Sequence, residues 1–364
     1  MIDRRKDIKV DYDFAEIVWI EDVKIPDFYK LAFKYDVSEF TTSLKPFLTL
    51  KLLEKSDSVI FLDPDICLYS NLDLIYDNLI NYPILLTPHY TVPVTSHTNL
   101  DLSMMRFGSF NLGFYAVNSD EEAKKFLQWW SKCCFDLCFF ETQFGLSTDQ
   151  KWVTIAPCFF PNLHIMFDPG LNMAFWNLHE RTLKKDKFGY LVNQDFRLVF
   201  FHFSSFNLND PKKISTRPHD WIVNGRDDLN EICVDYAEKL RLYDTGYSIV
   251  NYGFDYMDDG TYISPTLRRA YVAMDEYFKD VSNPFSINPK IKKFISKNYL
   301  NEKNDLSYRT ANTSDIEDHK IKFKFIYFML RIILRIVGPN QFYNLSRLMV
   351  YLSSYRLNKG LWKS

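Results

Sequence analysis

Four apolar residues, Val59-Ile60-Phe61-Leu62, end abruptly at Asp63-Pro64-Asp65, and this junction limits the folds open to the chain more than any other stretch. A β-branched and aromatic run of that length reads as a buried strand. Pro64 has no amide hydrogen and cannot continue a central strand, so pairing ends there and both carboxylates face solvent or a ligand. In open α/β sheets, ligands bind in the crevice beyond the C-terminal ends of the strands. Two hard oxygen ligands at such a point suit Mg²⁺ or Mn²⁺, and an ion so held would grip a diphosphate. The same three residues also make an ordinary turn, so the metal reading draws its strength from the surroundings.

Those surroundings alternate between strand and helix patterns. Phe14 to Ile20 reads as an early strand and residues 21 to 27 as a polar loop. Residues 28 to 55 read as helix with a break near Pro46, and 71 to 81 as a second helix. Ile84 to Thr87 forms a strand closed by Pro88-His89, Phe110 to Val117 another, and Asp120 to Phe140 a long helix. Alternation of this kind predicts an α/β sandwich with a mainly parallel sheet. The hydrophobic share of 47% in 364 residues can build a sizeable core. The aromatic share of 17% is compatible with platforms for sugar rings and equally with a Phe-rich interior.

Charge is unevenly spread. Nine of the 44 Lys and Arg lie from Lys320 onward, where no Asp or Glu occurs, leaving 35 basic against 46 acidic side chains elsewhere. The acidic body argues against nucleic acid as a partner, and the basic tail calls for its own explanation. The six cysteines include no CxxC pair and no His at zinc-ligand spacing. Cys133, Cys134 and Cys138 share a helical stretch with Trp129 and Trp130 and read as core thiols of a chain in a reducing cytosol. The charged opening Met1 to Asp7 is no secretory signal, and no apolar run reaches the length of a membrane span.

The stretch KPFLTLKLLEKSDSVIFLDPDICLYSNLDLIYDNL resembles the nucleotide-sugar glycosyltransferases of the GT-A fold, in particular relatives of glycosyltransferase family 8. The resemblance covers about residues 14 to 205. It implies an α/β, Rossmann-like GT-A domain over residues 1–205. Beyond it the pattern itself loosens, with Pro211 and Arg217-Pro218-His219, into an irregular accessory region and linker over 206–319, the polar linker lying at 300–319, and then a helical tail over 320–364. Family members place a longer stretch, including a first strand and helix for the base, before the DxD pair; here 62 residues precede Asp63, so the domain looks N-terminally short.

Several motifs take roles from this resemblance. Asp63 and Asp65 would hold Mn²⁺ or Mg²⁺ on the donor diphosphate, and His202, after the last strand of the domain, would complete the metal site. Lys45 would touch the donor; otherwise it is a solvated helix lysine. Phe110-Asn111-Leu112-Gly113-Phe114-Tyr115 resembles the segment that offers an amide to the donor sugar, Asn111 being both donor and acceptor and Gly113 allowing close approach to the backbone. In Ser147-Thr148-Asp149-Gln150, Ser147 or Thr148 reads as a helix N-cap, and Asp149 and Gln150 would line the sugar pocket. The run Phe167 to Arg181 looks like a signature of bacterial polysaccharide glycosyltransferases, with Asn172 and Trp176, and beside them Asn177 and His179, as pocket residues or as buried support. Where the family continues with Gly and then a phosphate-contacting Lys, this sequence has Ser205 and Leu208, leaving Lys212 or Lys213 as substitutes.

In the tail, Lys320, Lys324, Arg331 and Arg335 recur at helical spacing beside Phe325, Ile326, Phe328, Met329, Ile332, Ile333 and Ile336, and the pattern resumes after Gly338-Pro339. Such a helix suits an anionic membrane surface, lying in the interface; a terminal hairpin packed on the body or on a second subunit is the competing reading. Together these features predict a metal-dependent glycosyltransferase of surface polysaccharide synthesis, peripheral on the inner face of the cytoplasmic membrane. It would use a nucleotide-sugar donor, a UDP-sugar by resemblance, and a glycan or lipid-linked acceptor. Asp149 and His179 are candidate bases if the reaction inverts configuration. The rivals are a non-catalytic GT-A relic serving as a sugar-binding or scaffold subunit, and a metal-dependent nucleotide-sugar phosphohydrolase.

Overall fold

The computed structural model describes residues 14–94, 98–217, 226–243, 252–303 and 319–364. The charged opening Met1 to Asp7, Pro218-His219 and most of the linker expected at 300–319 lie outside the described residues. Two compact units emerge: residues 38–251, and residues 1–37 with 252–364. Residues on both sides of 205/206, the expected end of the first domain, fall in one unit.

The stretch expected as a first strand, Phe14 to Ile20, is irregular and leads into a single 3₁₀ turn at Ile20–Asp22. An apolar run becomes a strand only where another strand takes up its backbone groups, and none does so here among the described residues. Helix α1 (Phe28–Lys34) ends at Tyr35, whose backbone is extended, and α2 (Val37–Leu52) begins directly after. The expected break near Pro46 therefore lies at residues 35–36, and Pro46 sits inside α2. The hydroxyls of Thr42, Ser43 and Thr49 donate to nearby main-chain carbonyls of the same helix.

The unit spanning residues 38–251 holds the sheets. Strand β1 (Ser58–Leu62) is followed by β2 (Ile66–Leu68), α3 (Asp73–Leu79), β3 (Ile84–Pro88), α4 (Thr98–Phe107), β4 (Phe110–Asn118) and α5 (Glu121–Leu137). The side chain of Asp120 caps α5 by accepting from the Glu122 amide. Then come β5 (Phe140–Glu141), β6 (Leu146–Ser147), α6 (Gln150–Val153), β7 (Leu163–Ile165) and β8 (Met173–Ala174). Strands β9 (Leu183–Asp186), β10 (Gly189–Val192), β11 (Phe196–Arg197) and β12 (Phe200–His202) precede α7 (Asn230–Leu242).

The main sheet has the order β1-β4-β3-β7. It is mixed: β4 runs antiparallel to both β1 and β3, and β7 runs parallel to β3. The chain thus belongs to the α/β class, but the expectation of a mainly parallel sheet does not hold. Alternating strand and helix patterns do not encode strand direction, and β4 returns antiparallel beside β3 after α4. Eight of the nine residues of β4 are buried, which requires cover on both faces. Phe114 and Ala116 face a cluster with Ile75, Leu79, Met166 and Phe200. Tyr115, on the other face, stacks on Phe61, meets the edge of Trp130 from α5, and hydrogen-bonds Thr49 of α2 at 2.6 Å.

A second sheet, β2-β12-β8, pairs β12 antiparallel with β2 and parallel with β8. Its core combines Met173, Phe201 and Phe203 with Ile232 and Tyr236 of α7, the rings of Phe203 and Tyr236 stacking at 3.7 Å. Each such large side chain contributes about 1.5–3 kcal/mol by burial.

The other unit is helical. Helix α1 packs on α8 (Pro265–Ala273), followed by α9 (Pro289–Lys297), α10 (Lys320–Val337) and α11 (Pro339–Leu352). Phe33 meets the edges of Tyr271 and Phe285 at about 5 Å, and the buried Arg268 donates to the carbonyls of Ala32, Phe33 and Tyr35 and to the Asp255 carboxylate. One buried guanidinium thus satisfies the C-terminal carbonyls of α1. Gly338, at φ +79°, separates α10 from α11, which starts with Pro339 in its first turn, as the Gly-Pro break foretells.

Candidate metal centre

The candidate site forms where the two sheets meet. The Asp63 amide donates to the Gly113 carbonyl at 2.7 Å, extending the β1–β4 ladder by one residue. Two residues later the chain has changed sheets: Ile66 of β2 pairs with His202 of β12, and the Phe203 amide donates to the Asp65 carbonyl at 2.8 Å. The Asp63-Pro64-Asp65 turn is therefore the bridge between sheets, and each carboxylate is fixed by a different one. Asp65 Oδ1 lies 3.0 Å from His202 Nε2, and ligand atoms of Asp63, Asp65 and His202 all fall within 4.8 Å of one another.

His202 is oriented from behind. Its Nδ1 approaches Asn111 Oδ1 at 3.2 Å and Asn172 Oδ1 at 3.3 Å, two acceptors that require the proton on that nitrogen. Its Nε2 faces the carboxylates, 3.0 Å from Asp65, where it would turn its lone pair to a metal ion, and the support of Nδ1 from behind matches that of metal-bound imidazoles. Asn172, fully buried and at φ +54°, donates to Thr87 and Asn111, so that it holds His202 and Asn111 in register. A Cβ on Gly113 would lie 2.3 Å from the His202 ring. The glycine expected to admit a ligand admits this imidazole instead.

Lys45 takes a different position from the one the sequence suggests. Its Nζ contacts Asp63 Oδ1 at 3.0 Å, the Leu112 carbonyl at 3.1 Å and Asp149 Oδ2 at 3.6 Å, and it lies over the Phe61 ring. Burial alone would lower its pKa, but the charges of Asp149 and Asp63 outweigh that and hold it raised and protonated. Burial pushes Asp149 upward despite Lys45. For Asp65, burial is outweighed by the hydrogen bond and charge of His202, which hold the carboxyl below its ordinary range.

A cavity of about 680 Å³ opens at this cluster, within the range of small-molecule sites. Asp63, Asp65, His202, Asn111, Gln150 and Trp176 line it. Trp176 presents its edge to His202 and to His89, and its buried Nε1 makes no hydrogen bond among the described residues. Asn111 Oδ1 is engaged three ways, while its Nδ2 is unpartnered among the described residues. Gln150 is held by the Phe107 carbonyl and the Leu112 amide.

Lys45, Asp149, Asn172, Asn177 and His179 are absent from the cavity wall. The two candidate bases, Asp149 and His179, are thus both outside the lining of this cavity. Asn177 is wholly buried and braces the chain, accepting from the Ala174 amide and donating to the carbonyls of His89 and Asn172. The N-cap of α6 is Asp149, without a side-chain cap, in place of Ser147 or Thr148; Thr148 at φ +47° is spent on the turn that precedes it. Lys213 pairs with Asp210 on the surface, and neither it nor Lys212 reaches the cavity.

Wall residues that the sequence does not single out include His89, Phe107, Phe140, Ser204 and Arg217. His89 follows the polar end of β3 just as His202 ends β12, and that parallel is the one signal for it in the sequence.

No family model matches the chain, and no solved structure does. It is 27% identical over 194 residues to an uncharacterized Bacillus subtilis protein, YfnF, covering 51% of this chain and 63% of that one. It is 25% identical over 214 residues to a second uncharacterized protein of the same strain, YfnD, covering 57% and 66%. The chain therefore spans just under two thirds of the length of these curated relatives.

Proposed function

We propose that the chain is a metal-dependent glycosyltransferase of the GT-A kind, moving a sugar from a nucleotide diphosphate sugar, a UDP-sugar by resemblance, to a glycan or lipid-linked acceptor. The observation that carries this reading is the Asp63, Asp65 and His202 cluster at a sugar-sized cavity, with His202 Nδ1 locked so that Nε2 faces the carboxylates. Two carboxylates and a neutral imidazole suit Mn²⁺ or Mg²⁺. Such an ion, when bound, neutralises the leaving diphosphate and spares the protein a proton donor. Asn111 Nδ2 is then the amide available to a sugar hydroxyl, Gln150 shapes the wall, and Trp176 offers ring surface. Lys45 keeps Asp63 and Asp149 from repelling one another and so supports the metal ligands from outside the cavity.

Titration of UDP with and without Mn²⁺, against Asp65→Ala, tests this. Binding that needs the metal and disappears in the variant is expected; equal affinity in both chains would end the reading. Release of UDP from UDP-sugars in the presence of glycan or lipid-linked acceptors then defines the donor.

The tail adds a location. Helices α10 and α11 contact one another and bury none of their residues: Ile321, Phe325 and Ile336 are 85%, 65% and 77% exposed. Among the described residues no helix is long and apolar enough to cross a membrane. Exposed apolar side chains among Lys and Arg, with no acid, fit an anionic lipid surface, which makes the enzyme peripheral on a membrane.

A further inference from the structure

The cavity carries two carboxylates, and among its described wall residues Arg217 is the sole Lys or Arg. We infer that Arg217 is the residue that clasps the diphosphate of the ligand from the protein side, a role resting on the donor-site reading above. Lys45 is unsuited to it, being enclosed by Asp63, Asp149 and the Leu112 carbonyl.

The chain is built to bring Arg217 back to the site. After His202 it turns at Ser205, whose φ of +58° lies in the left-handed region, and leaves through an irregular segment. It returns at Thr216, whose amide and hydroxyl both donate to the Ser205 carbonyl, at 2.9 and 3.2 Å. Ile214 and Ser215, both buried, anchor the returning arm of this loop, and the Ser215 hydroxyl accepts from the Arg217 amide. The guanidinium is itself aimed: Nε donates to Ser205 Oγ at 3.0 Å, and Cζ lies 5.6 Å from the Phe175 ring centroid. Its two terminal amino groups take no partner among the described residues. A planar fork held at its neck, with both prongs open, matches two oxygens of a phosphate or diphosphate. Orienting it beforehand reduces the entropy lost on binding. The loop closed by Ser205 and Thr216 thus brings to the cavity a cation that would offset the charge of a diphosphate.

The test titrates wild type, Arg217→Gln and Arg217→Lys, at saturating Mn²⁺, with UDP, with inorganic pyrophosphate and with uridine; Mn²⁺ alone is titrated by electron spin resonance. Arg217→Gln is expected to weaken UDP and pyrophosphate by roughly ten- to a hundredfold, the worth of a charge-assisted contact. Arg217→Lys should recover part of the loss, while uridine and Mn²⁺ binding stay unchanged. Equal affinity of wild type and Arg217→Gln for UDP and pyrophosphate overturns the role of Arg217 alone. An equal loss for uridine or Mn²⁺ also overturns it, pointing to local damage. Failure of wild type to bind UDP or pyrophosphate with Mn²⁺ overturns it together with the donor-site reading.

Discussion

The candidate metal cluster and the C-terminal helix pair depart from ordinary packing in opposite directions. Around His202 the chain buries polar groups: Asn111, Asn172, Asn177, Asp149 and His202 are each less than a tenth exposed. Each such group costs free energy unless partnered, and here the amides are tied to one another, to His202 and to backbone carbonyls. In α10 and α11 the chain instead exposes large apolar groups that folding alone would bury. One region keeps polar atoms from water so that their geometry is fixed, and the other keeps apolar atoms in water so that they remain available. Neither follows from stability, which is why both read as functional.

If this contrast is right, the cluster should fail through small geometric changes and the tail only through changes of charge or polarity. The largest effect is expected for Gly113→Ala, whose new methyl would overlap the His202 ring. Overpacking of this kind costs about 1–3 kcal/mol. Thermal unfolding should show that loss, and Mn²⁺ affinity should fall more steeply than stability; an unchanged Mn²⁺ titration would break the link between Gly113 and the metal site. For the tail, Lys320→Gln, Lys322→Gln and Lys324→Gln together remove about 1 kcal/mol each of attraction to an acidic surface. Co-sedimentation with phosphatidylglycerol vesicles should drop by roughly a hundredfold, with metal binding intact. Persistent sedimentation would move the anchor elsewhere.

Asn172→Ala sharpens the comparison within the cluster, because it leaves all three candidate metal ligands in place and removes one acceptor from His202 Nδ1. Second-shell losses of this type weaken metal binding by about 10–100-fold. Retention of full Mn²⁺ affinity would show that Asn111 alone orients the imidazole. The smallest effect concerns pH. Burial, aided by the charge of His202, brings the His89 pKa down from the usual 6.5 to about 4. The unfolded chain takes that proton near 6.5 and the folded chain only near 4, so the stability His89 contributes is complete above 6.5 and is lost as the pH falls through this window. Since the ring edges onto the cavity, the loss should amount to about 1–2 kcal/mol. His89→Gln should flatten the urea midpoint between pH 6.5 and 4; an equally steep decline would assign the acid sensitivity to other groups.

Much of this architecture is legible in the order of residues alone, and for identifiable reasons. The β1 strand, the turn at Pro64, the long α5 with its Asp120 cap, the His at the end of β12 and the Gly-Pro break in the tail are local effects of side-chain shape and backbone chemistry. The missing amide at Pro64 removes the donor that continued pairing at that position would use. Phe14 to Ile20 has the pattern of a strand without being one, because strand formation needs a partner, which a sequence window does not contain. Lys45 does not reach the cavity wall because its partners, Asp63 and Asp149, approach it only across the fold. Arg217 gives no signal in the sequence because it belongs to an irregular segment without periodicity, and its position depends on two hydrogen bonds from Thr216 to Ser205.

The sequence by itself determined where the candidate ligands and the basic tail stand: two carboxylates beyond a strand, a histidine at the end of another, and a tail without acids. Only the tertiary structure decided which of the remaining polar residues face the cavity and which hold the others in place. Local patterns specify where a strand stops and what side chain stands there. Orientation within a site comes from contacts between elements far apart in the chain, such as His202 against Gly113, Asn111 and Asn172, and these exist only once both sheets have formed.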